Sequence, residues 1–411
     1  MRPKLKSGFR QLALGLSLLI ASAAPAFAQS KYQPPAVNTA SSVADQILVM
    51  AHKGADKDEC TDAVREANGT IIKTITNGRL TAYLIQVPAG KQQETMTKLA
   101  KNKAHFDSVQ PNHRRRARFT ANDPLYPQQY GIPQMNVPAA WNLKADGKGV
   151  TVGVIDTGVQ GNQADLVGRV DHGFNTVTGG NGDVDLGSEG FFHGTFVSTC
   201  SMASTNNFIL GAGPAYRAYI IPVDVFNGRD FTLDSDILDA IFYLESRGVR
   251  LINMSINSDV PNTFANQNVN PTLFAAFVDF YNGGGLLFNS AGNDGQFDNS
   301  PRTPYLIVIS AINANEKLTN FSTRGKPLWF TAAGKNIVSS DVDSTVFIAD
   351  GTSFSSPLAC SVAAQIWSRN PGLTNAQVLD KMVNTAVKPP NYTMNKFGFG
   401  IPNAGAAVSG H

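Results

Sequence analysis

The chain lacks the bias that marks a nucleic-acid or anionic-membrane binder. Its 34 Lys and Arg stand against 31 Asp and Glu over 411 residues, and the resulting net charge of +3 is too small to hold a polyanion. Cysteine is scarce. Cys60, Cys200 and Cys360 are the full set, they form no zinc-type spacing with the six His, and no disulfide framework is built from three. No phosphate-binding G-x-G-x-x-G follows the apolar run at 150–155, which disfavours a dinucleotide domain. Beyond the N-terminus no apolar stretch is long enough to span a bilayer, and no internal repeat is present. What remains is globular. Hydrophobic residues make up 42% and charged residues 16%, and 37 Gly and 22 Pro make the chain turn-rich without low complexity. Its length accommodates one large α/β domain and a small one.

The N-terminus reads as an export signal over 1–28. Arg2, Lys4, Lys6 and Arg10 precede a short apolar run at 12–24, and Ala26-Phe27-Ala28 supplies a small-x-small cleavage site. The expected localisation is therefore secreted or periplasmic. After a Pro- and Ser-containing leader, the pattern turns compact from about residue 45. Strand-like runs at 47–50, 70–75, 80–87 and 106–110 alternate with helical stretches at 58–67 and 91–101. That β-α-β-β-α-β order predicts a small α+β split-βαβ (ferredoxin-like) module. It ends in the basic run His113-Arg114-Arg115-Arg116-Ala117-Arg118-Phe119, exposed sequence of the kind that proteases cut.

From residue 120 to 411, apolar strand-like runs at 150–155, 218–223, 249–254, 285–289 and 306–310 alternate with helical segments. Alternation of this type predicts an α/β domain with a doubly wound, mostly parallel sheet covered by helices on both faces. Function in such sheets gathers at the carboxyl ends of the strands. Asp156-Thr157-Gly158 follows the first strand. His193-Gly194-Thr195 opens a small-residue helix, and Ala291-Gly292-Asn293-Asp294 forms a loop beyond another strand. Gly351-Thr352-Ser353 sits between the apolar run 346–349, read as a buried strand, and a buried helix. Taken alone, this stretch reads first as a helix start capped by Thr352 or Ser353 and only second as a nucleophile. Together, an acid, an imidazole, a hydroxyl and an amide donor on one sheet edge are the parts that nucleophilic acyl transfer requires. A hydroxyl needs a base to take its proton, the base needs an acid to orient it, and the oxyanion needs donors placed in advance.

These motifs, in the order Asp, His, Ser, resemble the subtilisin-like serine proteases, closest to their thermitase-like branch. Asn122-Asp123-Pro124 with Gln129-Tyr130-Gly131 resembles that branch's mature N-terminus, and residues 29–119, with the module at about 45–119, resemble its propeptide inhibitor. The resemblance implies a self-processed zymogen that hydrolyses protein or peptide substrates through an acyl-enzyme, inhibited by its own propeptide and acting as a monomer. Ser353 becomes the nucleophile, His193 the base and then acid, Asp156 its orienting carboxylate, and Asn293 an oxyanion donor beside the Ser353 N–H. Ser255, Ile256 and Asn257, with Ala291 and Gly292, would flank the extended substrate, and Asp294 would sit at the rim of the S1 pocket. A structural Ca²⁺ is implied at Asp123, Asp165 and Asn207, whose oxygens suit a hard cation.

Several positions depart from the family pattern. The substrate strand reads Ser255-Ile256-Asn257-Ser258, Phe354 follows the nucleophile in place of Met, Leu358 follows Pro357 in place of His, and Phe196 replaces the second His of the His motif. Departures near the reacting groups keep a second reading open, a catalytically silent binding protein on the same fold. Cleavage after Arg118 or after Phe119 both fit the basic run, leaving basic and aromatic specificity open. Cys200 and Cys360 each lie seven residues beyond a candidate catalytic residue (200 − 193 and 360 − 353), so a disulfide and two buried thiols are both compatible with the spacing.

Overall fold

In the computed structural model, residues 33–37, 42–114, 119–188, 190–256 and 268–409 are described. The chain divides into two compact units, one ending at Arg116 and the other starting at Ala117. In the first, β1 (Ser42–Ala51), α1 (Lys57–Glu66), β2 (Thr70–Thr76), β3 (Thr81–Gln86), α2 (Gln92–Lys101) and β4 (Phe106–His113) follow in order. The sheet runs β2-β3-β1-β4 and every neighbouring pair is antiparallel. Asp56 caps α1 by accepting from the Asp58 and Glu59 amides, the side-chain cap that a helix start favours. Ile47, Val49, Val64, Ile85, Met96, Leu99 and Val109 fill its core.

The second unit opens with the short helices α3 (Gly131–Gln134) and α4 (Val137–Trp141), then β5 (Thr151–Asp156), β6 (Phe174–Asn175) and α5 (His193–Met202). β7 (Tyr219–Asp224), α6 (Asp234–Ser246), β8 (Leu251–Met254), α7 (Pro271–Asn282) and β9 (Leu286–Ser290) continue the alternation. The pairs β10 (Phe297–Asp298) with β12 (Arg324–Gly325), and β14 (Ile337–Ser340) with β15 (Val346–Ala349), form two small ribbons around β11 (Ile307–Ile312) and β13 (Leu328–Ala333). The long α8 (Thr352–Arg369) and α9 (Asn375–Thr385) follow, then the short α10 (Met394–Phe397) and α11 (Ala404–Ser409).

Among the described residues seven strands make the main sheet in the order β13-β11-β9-β8-β5-β7-β6, with every pairing parallel. Both faces are covered, as a parallel sheet requires. On β5, Val152 and Val154 join the core built with α5 and α8, whereas Ile155 joins the one built with α6 and α7. Pleating therefore divides one strand between two apolar layers. Helix α8 is buried from Thr352 to Trp367, which its run of Ala, Ser and Cys allows at close packing distance.

The strand expected at 346–349 forms, but it is not buried. It pairs antiparallel with β14 outside the main sheet, and Val346, Phe347 and Ile348 are 43%, 41% and 64% exposed. An apolar β-branched run specifies extension, not the layer that covers it. The three cysteines are free and buried, which settles the open reading of Cys200 and Cys360 in favour of thiols; burial pushes the Cys200 thiol up to about 12. Among the described residues no helix is long and apolar enough to cross a membrane.

Candidate active site

Because all strands of the main sheet are parallel, Asp156 at the end of β5, Ser255 just past β8 and the 291–295 loop past β9 emerge at one edge. Asp156 is wholly buried. Its Oδ1 accepts the His193 Nδ1 hydrogen at 2.7 Å and the Thr157 amide at 2.8 Å. His193 is the first residue of α5, and its side chain keeps 23% exposure. Two glycines permit this approach. A Cβ on Gly194 would lie 2.0 Å from the Gly158 carbonyl oxygen, and Gly158 itself adopts φ +92°, a conformation that glycine tolerates without steric cost. Burial of the imidazole opposes its charge, but the Asp156 carboxylate, its hydrogen bond and the more distant Asp185 prevail, so the His193 pKa lies above the ordinary 6.5.

Ser353 lies in the first turn of α8, where the unpaired amides of a helix start favour negative charge. Gly351 is the N-cap residue and has no side chain to cap with, so neither Thr352 nor Ser353 occupies the cap position. Pro357 lies one turn further on. It has no N–H to donate to the Ser353 carbonyl four residues back. Ser255 supplies the missing bond, its Oγ donating to that carbonyl at 2.7 Å while accepting from Asn253 Nδ2 at 3.0 Å. Ser353 Oγ points back at the Ser255 carbonyl, a long 3.4 Å bond, and is not hydrogen-bonded to His193. The ring of Phe354, the next residue, stands 5.9 Å from the His193 ring and 5.0 Å from Phe196. Two of the departures from the family pattern, Phe196 and Phe354, thus pack on each other and form a single change beside the imidazole.

The amide of Asn293 is oriented by Thr352. Asn293 Oδ1 accepts both the Thr352 amide and the Thr352 hydroxyl at 2.9 Å, which leaves Nδ2 as the outward donor; a Cβ on Gly351 would stand 3.7 Å from it. Gly292 adopts φ +107° and donates to Thr352 Oγ1 at 3.2 Å. Ala291 is half-buried and Asp294 exposed at the outer end of the loop. Ser255 and Ile256 are buried and continue past the end of β8, whereas Asn257 and Ser258 lie outside the described residues.

The residues matched to calcium come together, yet their oxygens face hydrogen-bond donors. Asp123 accepts from the Asn206 amide at 2.8 and 3.0 Å and from the Asn207 amide at 3.2 Å. Asp165 accepts from Asn207 Nδ2 at 2.9 Å and the Gly211 amide at 3.1 Å, and Asn207 Oδ1 accepts from the Ile209 amide at 3.2 Å. Asn206, Phe208 and Leu210 take positive φ values of 70°, 66° and 41° to aim this loop inward. Burial pushes Asp165 up to about 6, with Asp123 adding to the rise. These N–H groups take up part of the acceptor capacity of the two carboxylates and of the Asn207 amide oxygen. Asp123, Asp165 and Asn207 are arranged here as acceptors for the 206–211 loop, and among the described residues no group of three or more His, Cys, Asp or Glu is placed to hold a metal ion, so the implied Ca²⁺ is not carried into the mechanism.

A buried carboxylate that sequence reasoning passed over, Asp185, stands behind the Asp156–His193 pair; in sequence it is indistinguishable from its neighbour Asp183.

A parallel α/β sheet with an aspartate–histidine pair beside a helix-start serine belongs to the class of serine hydrolases. The subtilase family model matches residues 147–400, and the chain belongs to that family of serine endopeptidases. It is 28% identical over 370 residues to the thermophilic serine proteinase of Bacillus sp. (strain AK1), covering 89% of this chain and 88% of that one. It is 30% identical over 275 residues to thermitase of Thermoactinomyces vulgaris, covering 66% of this chain and 92% of thermitase. A solved protease from Pseudoalteromonas arctica PAMC 21717 superposes with a TM-score of 0.61 at 26% identity, covering 71% of this chain and 99% of that one.

Proposed function

We propose that the chain is an exported serine endopeptidase, made as a zymogen whose residues 29–118 restrain residues 119–411 until the chain cuts itself. The observation that carries the reading is the 2.7 Å bond from His193 Nδ1 to the buried Asp156, beside the helix start that holds Ser353. That bond fixes the imidazole with Nε2 as the free base. Rotation of Ser353 about its χ1 angle takes Oγ off the Ser255 carbonyl and towards Nε2. His193 then accepts the proton as Oγ attacks the scissile carbonyl. Negative charge on the carbonyl oxygen is met by the Ser353 amide and Asn293 Nδ2. Collapse of the adduct transfers the proton from His193 to the leaving amine and leaves an acyl-serine. Water, deprotonated by the same imidazole, releases the product acid.

The position of Phe119 favours the Arg118–Phe119 bond for self-cleavage. Its ring packs 5.1 Å from Trp141 and stacks 6.2 Å from Tyr216, and its amide donates to Asn142 Oδ1 at 2.8 Å. A cut on its N-terminal side keeps this packing in the mature enzyme, whereas a cut after it discards it. Expression of the wild type and of Ser353→Ala tests the reading. The wild type should shorten to a chain beginning at Phe119 and take up a serine-directed phosphonate, and the variant should do neither. Equal processing of both, with neither labelled, would sink it in favour of a catalytically silent protein, the reading that the Ser353–Ser255 bond favours.

A further inference from the structure

Asp185 lies in the loop before α5 and is only 4% exposed. Each of its oxygens accepts two hydrogen bonds. Oδ1 takes the Thr157 hydroxyl at 2.8 Å and the Gly187 amide at 2.9 Å; Oδ2 takes the Thr195 amide at 2.8 Å and the Thr195 hydroxyl at 2.7 Å. Both hydroxyls are themselves oriented, because Gly194 donates its amide to Thr157 Oγ1 and Gln160 donates its amide to Thr195 Oγ1, each at 2.9 Å. Thr157 is the neighbour of Asp156, and Gly194 and Thr195 follow His193. One carboxylate therefore ties the strand end that carries the acid to the helix start that carries the imidazole.

We propose that Asp185 is a positioning residue, one that holds the Asp156 and His193 segments together and presents a second negative charge to the imidazole. The charged groups facing His193 among the described residues are Asp156, through its hydrogen bond, and Asp185; its other flanks are the rings of Phe191 and Phe354, each 5.9 Å away. Burial pushes the Asp185 carboxyl up to about 6, so it is ionised at neutral pH despite its surroundings. Its four hydrogen bonds offset part of that burial, and the uncompensated part is a cost that placing this charge behind the imidazole explains.

The kinetic arm of the test rests on the proteolytic reading; the spectroscopic arm does not. Asp185→Asn keeps the shape and removes the charge. In the otherwise catalytically disabled Ser353→Ala chain, the His193 imidazole, followed by NMR, should titrate lower by on the order of half a pH unit. In the active chain the acid limb of kcat/KM should move by the same amount, with kcat at neutral pH falling about tenfold and KM nearly unchanged. Thr157→Val, which leaves the Asp185 charge in place, should lower kcat and leave the acid limb where it is. A His193 titration unmoved by Asp185→Asn overturns the electrostatic half of the proposal, and an unchanged kcat in Thr157→Val overturns the positioning half. If the wild type takes up no phosphonate, the proteolytic reading fails, and the NMR titration still decides the role of Asp185.

Discussion

Removing the Ser255 hydroxyl should reveal how Pro357 shapes the first turn of α8. In an unbroken helix the amide of residue 357 would bond the Ser353 carbonyl, and proline deletes that donor. Ser255 Oγ fills the gap at 2.7 Å from a position 5% exposed, where water has little access. Ser255→Ala therefore leaves a buried carbonyl unpaired, at a cost of about 1–3 kcal/mol. Restoring the amide with Pro357→Ala gives the carbonyl its helical partner back, so the same Ser255→Ala change should then cost about 1 kcal/mol less. The Asn253 amide loses its acceptor in both backgrounds and cancels from the cycle. All four members are made in the Ser353→Ala chain, which retains the carbonyl and cannot digest itself. Urea unfolding measures the four stabilities. A cycle that closes additively, within about 0.5 kcal/mol, refutes the reasoning.

Three further outcomes follow from the same geometry. Gly194→Ala drives a methyl group to 2.0 Å from the Gly158 carbonyl and must part His193 from Asp156; turnover should fall about 100-fold or more, and retention of even a tenth of it contradicts this packing. The raised His193 pKa places the acid limb of kcat/KM above pH 6.5, because only the neutral imidazole accepts the Ser353 proton. In stability the sign runs the other way: protonated His193 contributes fully below 6.5, and the contribution fades as pH rises through the higher folded value, which unfolding measured across that range will detect. Chelation with EDTA should leave the 204–211 loop intact, since amides already hold the carboxylates of Asp123 and Asp165. A calcium-dependent rise in Tm that disappears in Asp123→Asn would show a cation at that place.

Much of this arrangement was legible in the residues because the chemistry demands particular types at particular ends of elements. Strand alternation gave the two-sided parallel sheet, and Asp156, His193, Asn293 and Ser353 fell on one edge because parallel strands all end there. Geometry that depends on backbone donors was not legible. Asp123, Asp165 and Asn207 carry the side chains a calcium site would use, yet three left-handed residues in the following loop turn amides towards them instead. Nor does sequence distinguish Asp185 from Asp183: one is sealed behind the imidazole, while the other pairs with the exposed His172 at 2.8 Å. The apolar run 346–349 misled for a related reason. Strand propensity is local, whereas the cover over a strand is set by the whole fold.

The central claim is that Ser353 is the nucleophile and that His193 is its base. Phosphonate labelling followed by intact mass and peptide mapping measures this most directly. One adduct per mature chain is expected, on Ser353, forming at a rate that rises with pH through the His193 titration and drops by several orders of magnitude in His193→Ala. An adduct on another residue, or an equal rate in His193→Ala, would contradict it.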